Sequence, residues 1–131
     1  MIVVYIYYIL IKLENEVIIM YIMKLKEEFF DQVKSGKKIY EVRLYDEKRQ
    51  KICVGDTIIF KKMPDLIDGV VTRVVDVKRF ETFEQMAQTL SLSSVGFDKK
   101  NAAQVSRFYR SIYGKEDEKK YGVVVFKLEL V

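Results

Sequence analysis

Eleven consecutive apolar residues open the chain, and the run stops only at Lys12. A helix of that length cannot cross a bilayer, which takes about 20 residues. No basic segment precedes the run and no small-residue cleavage site follows it, so it does not read as a signal peptide. Its Ile, Val and Tyr content favours a strand. A second such run, residues 17–23, follows the polar Glu14-Asn15-Glu16. That spacing predicts a hairpin. The competing expectation is that residues 1–19 are an extension read from an early start, because Met20 and Met23 are later start positions. An unburied hairpin of this composition would present a hazardous sheet edge.

The rest of the chain alternates irregularly between strand and helix patterns. Residues 20–25 read as a strand. Residues 27–35 read as a short helix, with Phe29, Phe30 and Val33 at helical spacing, Glu27 and Glu28 in the first turn, and Gly36 as its stop. Residues 38–44 and 57–61 are β-rich, with Gly55-Asp56 as the turn before the second. Residues 70–80 read as one long, bent strand. Thr82 caps a helix whose apolar face is Phe83, Met86, Ala87 and Leu90. Residues 91–97 read as loop, 99–113 as helix, 115–120 as a solvated charge run, and 123–131 as a closing strand. The expected class is α+β: a small, highly curved sheet or open barrel of about five to six mostly antiparallel strands, with two to three short helices outside. No linker divides residues 20–131.

Composition removes several chemistries. There is no His, which excludes a His base and His-ligated zinc. The single Cys, Cys53, cannot form an intrachain disulfide, and it reads as buried and inert between Ile52 and Val54. A lone Cys fits a reducing, cytoplasmic compartment. No phosphate loop, dinucleotide fingerprint or metal-ligand spacing occurs, so no cofactor and no metal are expected. The net charge of +4 is concentrated: residues 24–62 hold eleven Lys/Arg against seven Asp/Glu, and the remainder is balanced. Such a local excess steers anions, and its size suits a small phosphate contact.

Within that stretch Glu41 and Arg43 lie two apart and project from one strand face. A carboxylate beside a planar donor can read a nucleobase edge, or the two can simply pair on a solvated face. Lys37 and Lys38 follow Gly36; they form either a phosphate cradle or a solvated pair at a helix end. Lys48, Arg49 and Lys51 form a basic cluster beside Asp46 and Glu47, again either phosphate-binding or a solvated loop. Tyr45 is the better stacking residue for an unpaired base, while Tyr40 belongs to the core. Asp56 fixes the turn after Gly55 through its side chain.

Read in order, the chain carries Met23-Lys-Leu-Lys-Glu-Glu-Phe-Phe, Ser35-Gly-Lys-Lys-Ile-Tyr-Glu-Val-Arg-Leu and Val54-Gly-Asp-Thr-Ile-Ile-Phe. Further on come Phe80-Glu-Thr-Phe before a helix, Ser94-Val-Gly-Phe in a loop and Tyr121-Gly before the last strand. Over residues 20–131 this closely resembles the ASCH (activating signal cointegrator homology) domain family. The resemblance implies a PUA-like open barrel with a cleft and an association with RNA. It also implies a second activity, because some small bacterial members are amidohydrolases that deacetylate acetylcytidine. Those use a Lys in the Gly-x-Lys segment, a Thr three residues later and a distant Glu. Lys38 matches the Lys; the Thr position is Glu41, so that nucleophile is missing; Glu81 is the nearest match to the distant acid.

The expected function is RNA or nucleotide binding in a basic cleft, with no membrane partner. Lys38, Glu41 and Arg43 line the cleft, Lys37, Lys48 and Arg49 rim it, and Tyr45 stacks. The alternative is an amidohydrolase using Lys38 as nucleophile or base and Glu41 as acid/base partner. A protein-interaction module is the third reading.

Overall fold

The computed structural model describes the backbone of residues 2–4, 8–13 and 16–131 and the side chains of residues 19–131. Seven strands form one sheet: β1 (Ile2–Val4), β2 (Tyr8–Leu13), β3 (Glu16–Leu25), β4 (Tyr40–Leu44), β5 (Thr57–Lys62), β6 (Gly69–Phe80) and β7 (Val123–Leu130), in the spatial order β1-β2-β3-β5-β6-β7-β4. All neighbours are antiparallel except β3 and β5. β2 pairs antiparallel with β3, with Leu13 opposite Glu16. Glu14 and Asn15, read as its turn, lie outside the described residues.

The helices among the described residues are α1 (Glu27–Ser35), α2 (Phe83–Thr89), α3 (Leu92–Val95), α4 (Ala102–Tyr113) and α5 (Lys115–Tyr121). The α+β class holds, but there are more helices than expected. Residues 92–95, read as loop, form a single helical turn closed by Gly96. The charge run is also helical and not wholly solvated. Its Glu118 is buried, accepting from the Phe83 backbone N–H at the start of α2 and from Arg110 Nε at 3.2 Å. The remaining helix limits follow local chemistry. Gly36 ends α1 in the left-handed region. Thr82 caps α2 by accepting from Gln85 N–H. Asn101 and Gln104 form a reciprocal capping box on α4.

β7 explains the near-continuous apolar run at the end of the sequence. Val124, Phe126 and Leu128 face a core inside the curved sheet, with Tyr21, Met23 and Leu25 of β3, Ile58 and Phe60 of β5, and Phe30 and Val33 of α1. Val123 and Val125 face a second core, made with Val42 and Leu44 of β4 and the aromatic faces of α2 and α4. A strand buried on both faces has no polar alternation. The expected bend in β6 is a register shift between Val74 and Asp76. Cys53 corrects the reading made above: it is exposed, because Ile52 takes the inward position and residues 53–56 turn outward. Asp56 does fix that turn, accepting from Cys53 N–H at 2.8 Å.

Candidate functional site in the gap between β3 and β4

Among the described residues β4 pairs only with β7, and its other edge lies across a gap from β3. Glu41 and Arg43 stand opposite Phe126 and Val124 in the ladder and therefore share their face, the inner one. Val42 and Leu44 go to the helix side. The alternation was legible; the burial was not. Arg43 Nη2 reaches across the gap and donates to the carbonyl of Lys24 on β3 at 3.0 Å.

Three charged groups meet on the β4 side. Arg43 donates through Nε and Nη2 to Glu41 Oε2, at 3.0 and 2.7 Å. Lys38 Nζ lies 3.2 Å from Glu41 Oε1. The Lys38 ammonium also donates to the Tyr40 carbonyl and, at 2.7 Å, to the Val95 carbonyl. Each of its N–H groups thus has an acceptor, and the residue is only 2% exposed. Lys38 is not a solvated helix-end lysine. Its backbone N–H donates to Gln32 O, so the phosphate cradle expected after Gly36 does not form there.

The Ser94-Val-Gly-Phe segment makes this burial happen. Ser94 O accepts from Ile39 N–H and Val95 O from Lys38 Nζ, which tucks the lysine stem beneath the loop. Gly96 has φ +113°, and a Cβ there would meet Phe29 at 3.0 Å and Lys38 Cδ at 3.2 Å. Both the backbone and the space call for glycine. Phe97 then packs on Phe29 and Phe108, with ring centroids 5.3 and 5.1 Å away.

Electrostatics follow from this geometry. Burial pushes the Lys38 ammonium below its ordinary value, against the attraction of Glu41. Burial alone would raise the Glu41 carboxyl, but Arg43 and Lys38 outweigh it and hold the group below the usual carboxylate range. Burial would likewise lower Arg43, yet Glu41 keeps it above its ordinary value. The Tyr109 hydroxyl is pushed well above 10, first by burial and then by the Glu41 charge.

A cavity of about 280 Å³ opens beside the triad, lined by Lys38, Glu41 and Arg43 at its polar end. Phe29, Phe108, Tyr109 and Tyr113 form its aromatic wall, and Met63 and Ile112, both exposed, its mouth. Of the four carboxylate lone-pair directions Glu41 offers, three are taken, leaving one acceptor for a ligand. The Tyr109 hydroxyl has no partner among the described residues and adds a donor. A smaller cavity of about 190 Å³ lies next to it, sharing Arg43 and Lys24 and lined also by Lys48, Arg49 and Tyr21.

The structure therefore brings Lys38, Glu41 and Arg43 together, with Lys48 and Arg49 in the adjoining cavity. It does not bring in the other candidates. Lys37 pairs with Asp98 on the open surface. Tyr45 lines neither cavity: it packs on the inner core and carries the Arg79 guanidinium 3.9 Å from its ring centre. Glu81, the nearest match to a distant acid, lines a separate open groove with Arg79 and Lys120. Sequence reasoning missed Phe29, Phe108 and Tyr109 as site residues. The gap between β3 and β4 leaves Phe29 and Phe108 half-buried, while Tyr109 is buried behind them and stacks on Phe83, with ring centroids 5.1 Å apart. Among the described residues no group of metal-ligating side chains occurs and no helix is long and apolar enough to cross a membrane.

The model of the ASCH domain matches residues 23–131. The crystal structure of the hypothetical protein PH0355 is similar with a TM-score of 0.75 and 35% identity, over 84% of this chain and 97% of that one. A Pyrococcus furiosus protein solved by solution NMR is similar with a TM-score of 0.67 and 33% identity, over 86% of this chain and 97% of that one. ASCH from Zymomonas mobilis shares the fold, with a TM-score of 0.56 at 13% identity, over 84% of this chain and 66% of that one. No curated protein matches the chain. On the match over residues 23–131 and the relatives above 30% identity, the chain belongs to the ASCH domain family.

Proposed function

We propose that the cavity between β3 and β4 binds a nucleobase, and that the protein is an RNA- or nucleotide-binding ASCH domain protein. The observation that carries this reading is the union of an aromatic wall with a buried Lys38–Glu41–Arg43 ion triad at one end of a pocket. An aromatic slot accepts any base face, and a fixed carboxylate and guanidinium read its edge. On this reading Lys38 positions Glu41, since its three N–H groups are already engaged, and β1 and β2 extend the sheet from the edge of β3 that β5 leaves free. The exposed thiol of Cys53 fits a reducing, cytoplasmic setting.

The test is titration of a fluorescently labelled single-stranded RNA hexamer of mixed sequence, and of the four ribonucleoside monophosphates, into wild-type protein and Phe108→Ala, which removes a half-buried ring of the cavity wall. Loss of a stacking ring is expected to weaken binding about 5- to 100-fold. Equal binding by the two proteins, or binding of neither the hexamer nor any ribonucleoside monophosphate by the wild type, would overturn the reading.

The depressed Lys38 ammonium favours a second reading, hydrolysis of an amide on a modified nucleoside such as acetylcytidine. It needs Lys38 to pass a proton to Glu41 across 3.2 Å and act as the free amine. The lowered Glu41 carboxyl resists that transfer, which ranks this reading second. Conversion of acetylcytidine to cytidine, lost in Lys38→Ala, would promote it.

A further inference from the structure

We infer that the smaller cavity is a phosphate subsite, so that the ligand is a phosphorylated nucleotide and not a free nucleoside. The inference rests on the nucleobase reading of the larger cavity. The two cavities are adjacent and have Arg43 and Lys24 as their common wall, yet their linings differ in kind. The larger is aromatic, with a carboxylate at its polar end. The smaller brings Arg43, Lys48 and Arg49 together with no carboxylate, over a floor of Tyr21, Ile22, Met23 and Ile52.

The donors are in place. Arg43 donates through Nε and Nη2 to Glu41 and Lys24, while its Nη1 meets no acceptor among the described residues. Asp46 holds Arg49 from two sides, accepting from its backbone N–H at 3.2 Å and from Nη1 at 2.6 Å. That fixes the guanidinium at the cavity wall and leaves Nε and Nη2 to present. Two guanidinium forks converging on one small cavity suit the planar, bidentate recognition of a phosphate. A base and its phosphate are separated by a single ribose, and here one arginine side chain separates the two cavities. A nucleotide straddling Arg43 would therefore place the base against the aromatic wall and the phosphate against Arg49.

Calorimetric titration of the four ribonucleosides, their 5′- and 3′-monophosphates and a single-stranded RNA hexamer tests this directly. For at least one base the wild type is expected to bind a monophosphate about tenfold or more tightly than its nucleoside. Arg49→Gln should collapse that ratio toward one, with Lys48→Gln as a second variant if the first fails to fold. A hexamer bound much more tightly than the monophosphate identifies an RNA strand as the source of the phosphate; equal or weaker binding of the hexamer identifies a free nucleotide. Both outcomes uphold the subsite. Equal binding of nucleoside and monophosphate, or a ratio that survives both variants, overturns it while leaving the base pocket standing. Binding of none of these ligands overturns the base pocket itself.

Discussion

Arg43 on β4 donates to the Lys24 carbonyl on β3 at 3.0 Å, and this side-chain contact spans two strands that share no backbone pairing. The same guanidinium grips Glu41, so the sheet's open seam and the buried carboxylate are held by one residue. Cutting the contact should loosen the seam more than the core. Arg43→Met is expected to raise amide hydrogen exchange in β4 and the second half of β3, with β6 and β7 unchanged. Uniform protection across all four strands would contradict this.

Removing Glu41 alone leaves two buried cations facing each other. Glu41→Leu is expected to destabilise the fold by about 3–5 kcal/mol. The triple variant Lys38→Met, Glu41→Leu, Arg43→Met removes the charges together and should recover most of that loss while abolishing ligand binding. Urea denaturation with an unchanged m-value reads both. A triple variant no more stable than the single one would mean that the triad is needed for folding itself.

Glu41 also sets an acid limit. Its carboxyl is lowered in the folded protein by Arg43 and Lys38 against the opposing effect of burial. A lowered folded value contributes stability that is present above the unfolded value of about 4.3 and is lost as pH falls through the folded one. Stability should therefore drop steeply below about pH 4, and Glu41→Gln should flatten that drop. Parallel acid profiles for the two proteins would show that other carboxylates govern it.

Gly96→Ala asks for a positive φ that alanine resists and pushes a methyl against Phe29 and Lys38 Cδ. The expected loss is about 1–3 kcal/mol, with weaker nucleotide binding because the lysine stem is displaced. A wild-type melting temperature would show that the loop gives way without disturbing Lys38.

Much of the fold was legible in the sequence because the signals were local. Gly36, Thr82 and the Glu41–Arg43 alternation each act within a few residues, and each appears in the structure as read. The failures share a cause, which is burial decided from afar. Lys38 reads as either a phosphate-cradle lysine or a solvated one until Val95, 57 positions away, supplies its carbonyl. Glu118 reads as part of a charge run until the start of α2 and Arg110 claim it, 35 and 8 positions away. Phe108 carries no sign in the sequence of lining a cavity, because helical spacing cannot show that one side of the helix faces a gap in the sheet. Tyr45 fails in the opposite sense: an aromatic beside a basic run invites a stacking role, but Arg79 occupies its face.

The most direct test of the central claim is methyl NMR of the mouth and wall of the larger cavity during titration with ribonucleoside monophosphates. Met63, Ile112 and Val42 line that cavity, whereas Val71 and Ile67 are exposed elsewhere on the surface. The account predicts saturable shifts at Met63, Ile112 and Val42, with Val71 and Ile67 unmoved, and loss of those shifts in Phe108→Ala. Shifts centred on Val71 or Ile67, or none at saturating nucleotide, would contradict it.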